Sequence, residues 1–128
     1  MARRLQTAGA KALAMPCNTA HHYANLIRAA TDIPFIDMVQ LSVAHAARLS
    51  PKGARVGILA SPAVHQVGLF DGPCAAVGLT PSYASDEPAM LAAIRAIKAG
   101  HADAARSTLA EASARLLAAG AGVQMIAC

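Results

Sequence analysis

Residues 55–60 read RVGILA and are followed directly by Ser61 and Pro62. A short apolar run of this kind is typical of a strand that is covered on both faces of a sheet. Serine is a favourable N-cap residue, and proline fits the first position of a helix. The stretch therefore predicts a buried strand that passes directly into a helix, which would continue to Gly72 or Gly78.

Similar apolar runs recur along the chain, at 12–15 (ALAM), 33–38 (IPFIDM), 79–83 and 122–127 (GVQMIA). Segments with a helical period lie between them, and their apolar positions are expected to face inward: Tyr23, Leu26, Ile27 and Ala30, then Met90, Ile94 and Ile97, then Leu109, Ser113, Leu116 and Leu117. Strands that alternate with helices predict the α/β class, with a parallel sheet and helices on both of its faces.

The composition argues against several functional classes. The 128 residues carry a net charge of +4, and Arg3-Arg4 is the only adjacent basic pair, so no basic stripe for nucleic acid is present. No run approaches the length of a membrane span. Aromatic residues make up 3%, too few for a platform on which bases could stack. We expect neither a nucleic-acid partner nor a membrane.

The three cysteines, Cys17, Cys74 and Cys128, are an odd number and lie far apart. No secretory signal precedes them, because Arg3-Arg4, Gln6 and Lys11 interrupt any apolar segment near the start. Free thiols in a reducing cytoplasm are therefore the expectation.

Both ends of the chain are expected to be truncated. A helix over residues 3–8 opens the sequence with no strand before it, and the sequence stops directly after the strand at 122–127. In parallel α/β sheets a covering helix normally follows such a strand.

Polar and reactive side chains follow several of the predicted strands. Cys17-Asn18-Thr19, Asp37, Ser61 and Cys128 each come where a strand ends. Ligands of open parallel sheets bind beyond the carboxyl ends of the strands, so these residues are the candidates for a functional site. Cys74 lies within a helical segment and is expected to be an apolar filler of the core.

The string MPCNTAH at 15–21, placed after an apolar strand, resembles the aspartate/glutamate racemase superfamily, and most of all its aspartate racemase branch. Supporting motifs follow in the same order: IPFIDM at 33–38, VGILASPAV at 56–64, GLF at 68–70, IKAG at 97–100 and MIAC at 125–128. The resemblance covers essentially the whole chain, but the family's first half and its continuation after the second cysteine have no counterpart here.

The resemblance implies a racemase with two pseudo-symmetric α/β lobes that works without a cofactor. Cys17 and Cys128 would be the pair that removes and delivers the Cα proton, since two thiols with a reference pKa of about 8.5 can each act as acid or base. Asn18 and Thr19 would contact the carboxylate or ammonium group of the substrate, and Ser61 would have a similar role. No metal is implied.

By the same resemblance, residues 1–32 are the tail of the first lobe, and residues 33–128 form most of the second. The implied partner is a small amino acid, either aspartate or a similar dicarboxylate. A homodimer is expected, because the absent parts would leave apolar surface exposed.

Four alternatives remain open from the residues. The chain is a non-catalytic truncated fragment, or it belongs to a related branch such as the glutamate racemases, hydantoin racemases or maleate isomerases. Cys17 and His21 could form part of a metal site, although a single Cys-x-x-x-His pair is a weak signal. Cys17 with His21, His22 or His65 could also form the pair of a Cys–His hydrolase.

Overall fold

The computed structural model describes residues 1–127. Its strands are β1 Leu13–Ala14, β2 Phe35–Ile36, β3 Arg55–Ala60, β4 Thr80–Tyr83 and β5 Val123–Ala127. Its α-helices are α1 Ala2–Thr7, α2 Ala24–Ala29, α3 Met38–Leu49, α4 Pro62–Gln66, α5 Asp71–Ala76, α6 Glu87–Lys98 and α7 Ala102–Ala118. A 3₁₀ helix, Thr19–Tyr23, directly precedes α2.

All strand pairs described in residues 1–127 are parallel, and they form two sheets. β1 pairs with β2, so that Leu13 is opposite Phe35. The larger sheet has the order β4-β3-β5, with β3 in the centre. In this sheet the last residue of β3, Ala60, is opposite Ala127 of β5. The predicted α/β class with parallel strands is confirmed.

Helices cover both faces of the larger sheet. On one face, β3 packs through Val56 and Ile58 against apolar side chains of α3, α4 and α5, with Phe70 and Cys74 fully enclosed. On the other face, Leu59 packs with Met90 of α6 and Leu116 of α7. Every residue from Val56 to Ala60 is buried, as the apolar run at 55–60 predicts.

Side-chain caps and one glycine set several helix boundaries. Asp37 and Asp86 cap α3 and α6, each accepting a hydrogen bond of 3.0 Å from the backbone N–H three residues ahead. The single helix expected after Ser61 is instead two short helices. Gly68, with φ at +58°, lies between them in a left-handed conformation that glycine adopts without a steric penalty.

The predicted helix faces are confirmed in part: Met90 of α6 and Leu116 of α7 are buried, but other positions are wrong. Tyr23, Leu26, Ile97 and Leu117 were expected to face inward, and all four are exposed. Alanines are buried on the same helices: Ala24 in α2, Ala93 in α6 and Ala105 in α7. In a chain with 33 alanines, large aliphatic residues alone do not mark the inner face of a helix.

The division into lobes at residue 32 stays a prediction. β2 lies beyond that point in the sequence and pairs with β1, which lies before it. Within residues 1–127, no helix combines the length and apolar character needed to cross a bilayer.

Candidate functional site

The first predicted site residues follow β1 in an irregular segment. Met15, Pro16 and Cys17 have no regular secondary structure, and the Cys17 N–H donates to the Met15 carbonyl at 2.9 Å. Asn18 then occupies the N-cap position of the 3₁₀ helix, but its side chain makes no capping hydrogen bond. The chain therefore turns sharply at Cys17, and the cysteine is exposed.

The neighbours of Cys17 differ in burial. Asn18 is only 8% exposed, and its side-chain amide makes no hydrogen bond within residues 1–127. Thr19 is half-buried. The polar atoms of this amide keep some contact with solvent, because Ser50 Oγ is the only buried side-chain polar atom without a partner in residues 1–127. An amide in such a position has its donors and its acceptor available to a ligand. The segment thus offers a free thiol beside an unpaired amide.

His21, four residues after Cys17, is buried. Its Nδ1 is 2.7 Å from the Cys17 carbonyl oxygen, and its Nε2 accepts a hydrogen bond from the Met38 N–H at 3.3 Å. Both ring nitrogens therefore have protein partners. A metal site at Cys17 and His21, or a hydrolase that uses this His21 as its base, would require one of these bonds to break. Within residues 1–127, no three His, Cys, Asp or Glu side chains lie close enough to hold a metal ion.

Arg28 and Asp37 form an ion pair near the end of the β1–β2 sheet. The Arg28 guanidinium donates to Asp37 Oδ2, and its other terminal nitrogen donates to Asn25 Oδ1 at 3.0 Å. Burial raises the pKa of Asp37, but the hydrogen bond from the Gln40 N–H and the Arg28 guanidinium outweigh burial and hold this pKa below its ordinary value. Asp37 therefore acts as a cap and as an ionic partner of Arg28.

Sequence reasoning placed Asp37 at a strand end but missed Arg28. A signal for it was present, because residues 21, 25 and 28 share one face of a helix. A histidine, an asparagine and an arginine on that face, followed by a capping aspartate, indicate a polar cluster and not an apolar face.

Ser61 lies at the carboxyl end of the larger sheet. It follows Ala60 of β3 and is the N-cap residue of α4, but its hydroxyl makes no capping hydrogen bond. Ala127, the partner of Ala60 in the neighbouring strand, is the last described residue. Cys128 follows it in the sequence and lies outside the described residues, so its predicted position is not tested.

A second group of polar side chains comes from α4, α5, α6 and the end of β4. His65 Nδ1 is 2.8 Å from Glu87 Oε1, and the imidazole stacks on the Tyr83 ring with centroids 4.3 Å apart. The Tyr83 hydroxyl donates to Asp71 Oδ1 at 2.8 Å. Burial, followed by this bond to Asp71, raises the pKa of Tyr83 well above its ordinary value. His65 is thus paired with Glu87, and no described hydrogen bond connects it with Cys17.

The predicted site residues lie on two different sheets. Cys17, Asn18 and Thr19 follow β1 of the small sheet, whereas Ser61 follows β3 of the larger one. No hydrogen bond joins the two groups within residues 1–127. The described residues thus provide the exposed Cys17 thiol next to Asn18 at the end of the small sheet, and the Ser61 hydroxyl, which does not cap its helix, at the end of the larger one.

Comparisons with known proteins agree with this architecture. A model of the Asp/Glu/hydantoin racemase family matches residues 1–128. Among solved structures, the chain is similar to an aspartate racemase of Picrophilus torridus, with a TM-score of 0.82 and 20% sequence identity. The match covers 98% of this chain and 52% of the racemase, so the chain spans about half the length of that relative. From the match along its full length, this chain belongs to the Asp/Glu/hydantoin racemase family.

Proposed function

We propose that this chain carries part or all of a cofactor-independent amino-acid racemase site that acts on an acidic amino acid such as aspartate. The observation that supports the proposal most directly is the exposed Cys17, which follows a strand and is next to Asn18. Asn18 is only 8% exposed, and its amide makes no hydrogen bond within residues 1–127. Family membership supports racemase chemistry as the class of reaction.

The proposed reaction needs two groups on opposite faces of Cα. A thiolate on one face takes the Cα proton, and the electron pair left on Cα delocalises into the substrate carboxylate. A thiol on the other face then gives its proton to Cα, so that the two cysteines exchange protonation states. We assign one role to Cys17 and the other to Cys128. Either cysteine can start the reaction, which allows both enantiomers as substrates.

Hydrogen bonds to the substrate carboxylate are what makes this proton transfer feasible. Charge builds up on that carboxylate when the proton leaves, and fixed donors stabilise it without reorganising. The Asn18 amide and the Thr19 hydroxyl are proposed for this contact, and the Ser61 hydroxyl, which makes no capping bond, is proposed for a contact from the other sheet. No step of this scheme uses a cofactor or a metal.

A cytoplasmic homodimer is the proposed setting. Support comes from large apolar side chains that are exposed on α3 and β5, namely Leu41, Leu49 and Ile126. Surfaces of this kind are often covered by a partner. Light scattering over a range of protein concentrations should give the mass of a dimer, and a monomer at every concentration would contradict this part of the proposal.

The test of the reaction is exchange of the Cα proton for deuterium. The chain is incubated in D₂O with L- and D-aspartate, then with glutamate, without pyridoxal phosphate, and the Cα signal is followed by NMR. We expect exchange with aspartate and its loss in Cys17→Ser, because the serine hydroxyl is far too weak an acid to exchange protons with Cα. Cys74→Ser is the matched control, since that thiol is buried in the core.

Two outcomes would contradict the proposal. Full exchange in Cys17→Ser would remove Cys17 from the mechanism. No exchange with aspartate, glutamate or a hydantoin would favour a non-catalytic fragment, the second candidate, which is consistent with Cys17 and Ser61 lying on separate sheets. Exchange with glutamate or a hydantoin alone would instead assign the chain to another branch of the family.

A further inference from the structure

The His21 ring bridges two segments that meet at the end of the β1–β2 sheet. Its side chain is 1% exposed. Nδ1 lies 2.7 Å from the carbonyl oxygen of Cys17, and Nε2 lies 3.3 Å from the backbone nitrogen of Met38. A carbonyl only accepts and a backbone N–H only donates, so the ring donates through Nδ1 and accepts through Nε2. Only the neutral imidazole with its proton on Nδ1 makes both bonds.

The two bonds join an irregular segment to a regular one. Met38 is the first residue of α3, whose start is fixed by the Asp37 cap. The imidazole also packs against the Phe35 ring of β2, with centroids 5.5 Å apart. The ring is therefore held by β2 and α3, and it holds the backbone of Cys17. The neighbouring His22 is exposed and makes an edge contact with the Tyr23 ring.

From this geometry we infer that His21 is a positioning residue for the Cys17 thiol. The bonded carbonyl belongs to Cys17 itself, so the hydrogen bond restricts the backbone torsion that sets the direction of its Cβ and Sγ. A thiol that must meet one face of Cα depends on such a restraint, because an error of about 1 Å in position can cost on the order of a hundredfold in rate. His21 itself touches no substrate in this role.

The inference rests on the proposed function only where it names Cys17 as the reacting group. The restraint itself can be measured in the resting protein. Long-range nitrogen–proton NMR of the wild-type imidazole should show His21 with a protonated Nδ1 and an unprotonated Nε2 at neutral pH. A ring protonated on Nε2 would overturn the inference, because it could not accept from the Met38 N–H.

Two substitutions separate positioning from simple packing. The nitrogen of an asparagine side chain lies near the place of histidine Nδ1, and the end of a glutamine side chain lies near the place of Nε2. His21→Asn can therefore keep the bond to the Cys17 carbonyl, whereas His21→Gln keeps more of the ring's volume and loses that bond. His22→Gln is the control on the adjacent, exposed histidine.

Amide hydrogen exchange gives the readout. In His21→Gln we expect the Cys17 and His21 amides, which donate to the Met15 and Asn18 carbonyls, to exchange about fivefold faster relative to their intrinsic rates, as for the loss of one hydrogen bond. The β3 amides should keep their rates. His21→Asn and His22→Gln should keep the wild-type rates. Equal acceleration in both His21 variants, or acceleration that extends to β3, would assign a packing role and overturn the inference.

The activity measurement keeps this inference distinct from the proposed function. Where the wild type exchanges Cα protons, His21→Gln should lower kcat about tenfold with little change in KM, and His21→Asn should restore most of it. If Cys17→Ser abolishes Cα exchange but His21→Gln is as active as wild type, the positioning role fails alone. If the wild type is inactive but the NMR and amide results are as expected, the proposed function fails and the restraint stands.

Discussion

The two sheets of this molecule are held together in different ways. The larger sheet is centred on β3, in which five consecutive residues from Val56 to Ala60 are buried between helices on both faces. The small sheet has strands of two residues, and the helix that follows β1 leaves Tyr23 and Leu26 exposed. Polar contacts of His21, Arg28 and Asp37 connect its parts instead.

The region that stabilises the fold is therefore different from the region that carries the proposed reacting thiol. Apolar burial contributes about 25 cal/mol for each Å² removed from water, so the β3 sheet provides most of the stability. A hydrogen bond contributes less net free energy of folding, but it fixes the orientation of the groups that it joins. The proposed reaction depends on the orientation of the Cys17 thiol. The proposed reacting group thus lies in the region with the smaller core, where local opening costs least.

The largest expected contrast between the two regions is in thiol reactivity. Cys17 is exposed, whereas Cys74 is fully buried beneath β3 and β4. Burial, together with the charge of Asp71, raises the pKa of Cys74, so its reactive thiolate is also disfavoured. We expect iodoacetamide to modify Cys17 on the order of a thousandfold faster at neutral pH, because Cys74 must wait for the core to open.

Peptide mapping by mass spectrometry measures both rates in one sample. In concentrated urea the two cysteines should react at similar rates, which serves as the control for intrinsic reactivity. Comparable rates in the folded protein would mean that iodoacetamide reaches Cys74 as easily as Cys17, so that the core around Cys74 opens readily.

Side-chain truncation should affect the larger sheet far more than the small one. Ile58 is fully buried in β3, and Leu26 is 69% exposed on α2. Ile58→Ala should lower the free energy of unfolding by about 2–5 kcal/mol through lost burial and the cavity that remains. Leu26→Ala should change it by about 0.5 kcal/mol or less. Equilibrium urea denaturation of the two variants gives both values.

A large effect of Leu26→Ala would alter this comparison. It would mean that the exposed face of α2 is covered in solution, and repeating the denaturation at several protein concentrations would then identify a second copy as the cover. An effect independent of concentration would place the covering surface within the chain itself.

The larger sheet could be predicted from the sequence because its signals are local. The run at 55–60 identified β3 at its observed bounds, and Ser61 with Pro62 marked the start of α4. Such signals depend only on neighbouring residues, since burial on both faces requires a continuous apolar run and a helix start requires a cap.

The helix faces and the polar cluster could not be predicted in the same way. With alanine in every α-helix, the leucines and isoleucines suggested some inward positions that packing does not use. In α7, Leu117 is 61% exposed although its neighbour Leu116 is buried. The bond from the Met38 N–H to His21 joins residues that are 17 positions apart, and the Arg28–Asp37 pair joins residues that are 9 apart. Such partners become evident only after folding. The position of Cys128 stays a prediction.

The smallest expected effect concerns the charge of Asp37. Its pKa is lower in the folded chain than the ordinary value of 3.8, so the ionised form stabilises the fold. This contribution is fully present above the ordinary pKa and is lost as the pH falls through the lowered, folded value. Asp37→Asn keeps a capping oxygen but loses the ionic partner of Arg28, and should cost about 1 kcal/mol at neutral pH.

Urea denaturation of wild type and Asp37→Asn between neutral and strongly acidic pH measures this contribution, and the two stability curves should converge at the acidic end. Asp86→Asn is the matched control, because Asp86 also caps a helix and no basic side chain in the described residues pairs with it. If both substitutions lower the free energy of unfolding by the same amount at neutral pH, the ion pair with Arg28 adds nothing to the stability that the cap provides. The end of the small sheet would then depend on His21 and the Phe35 contact alone, and the exposed thiol would be held by fewer restraints than the geometry indicates.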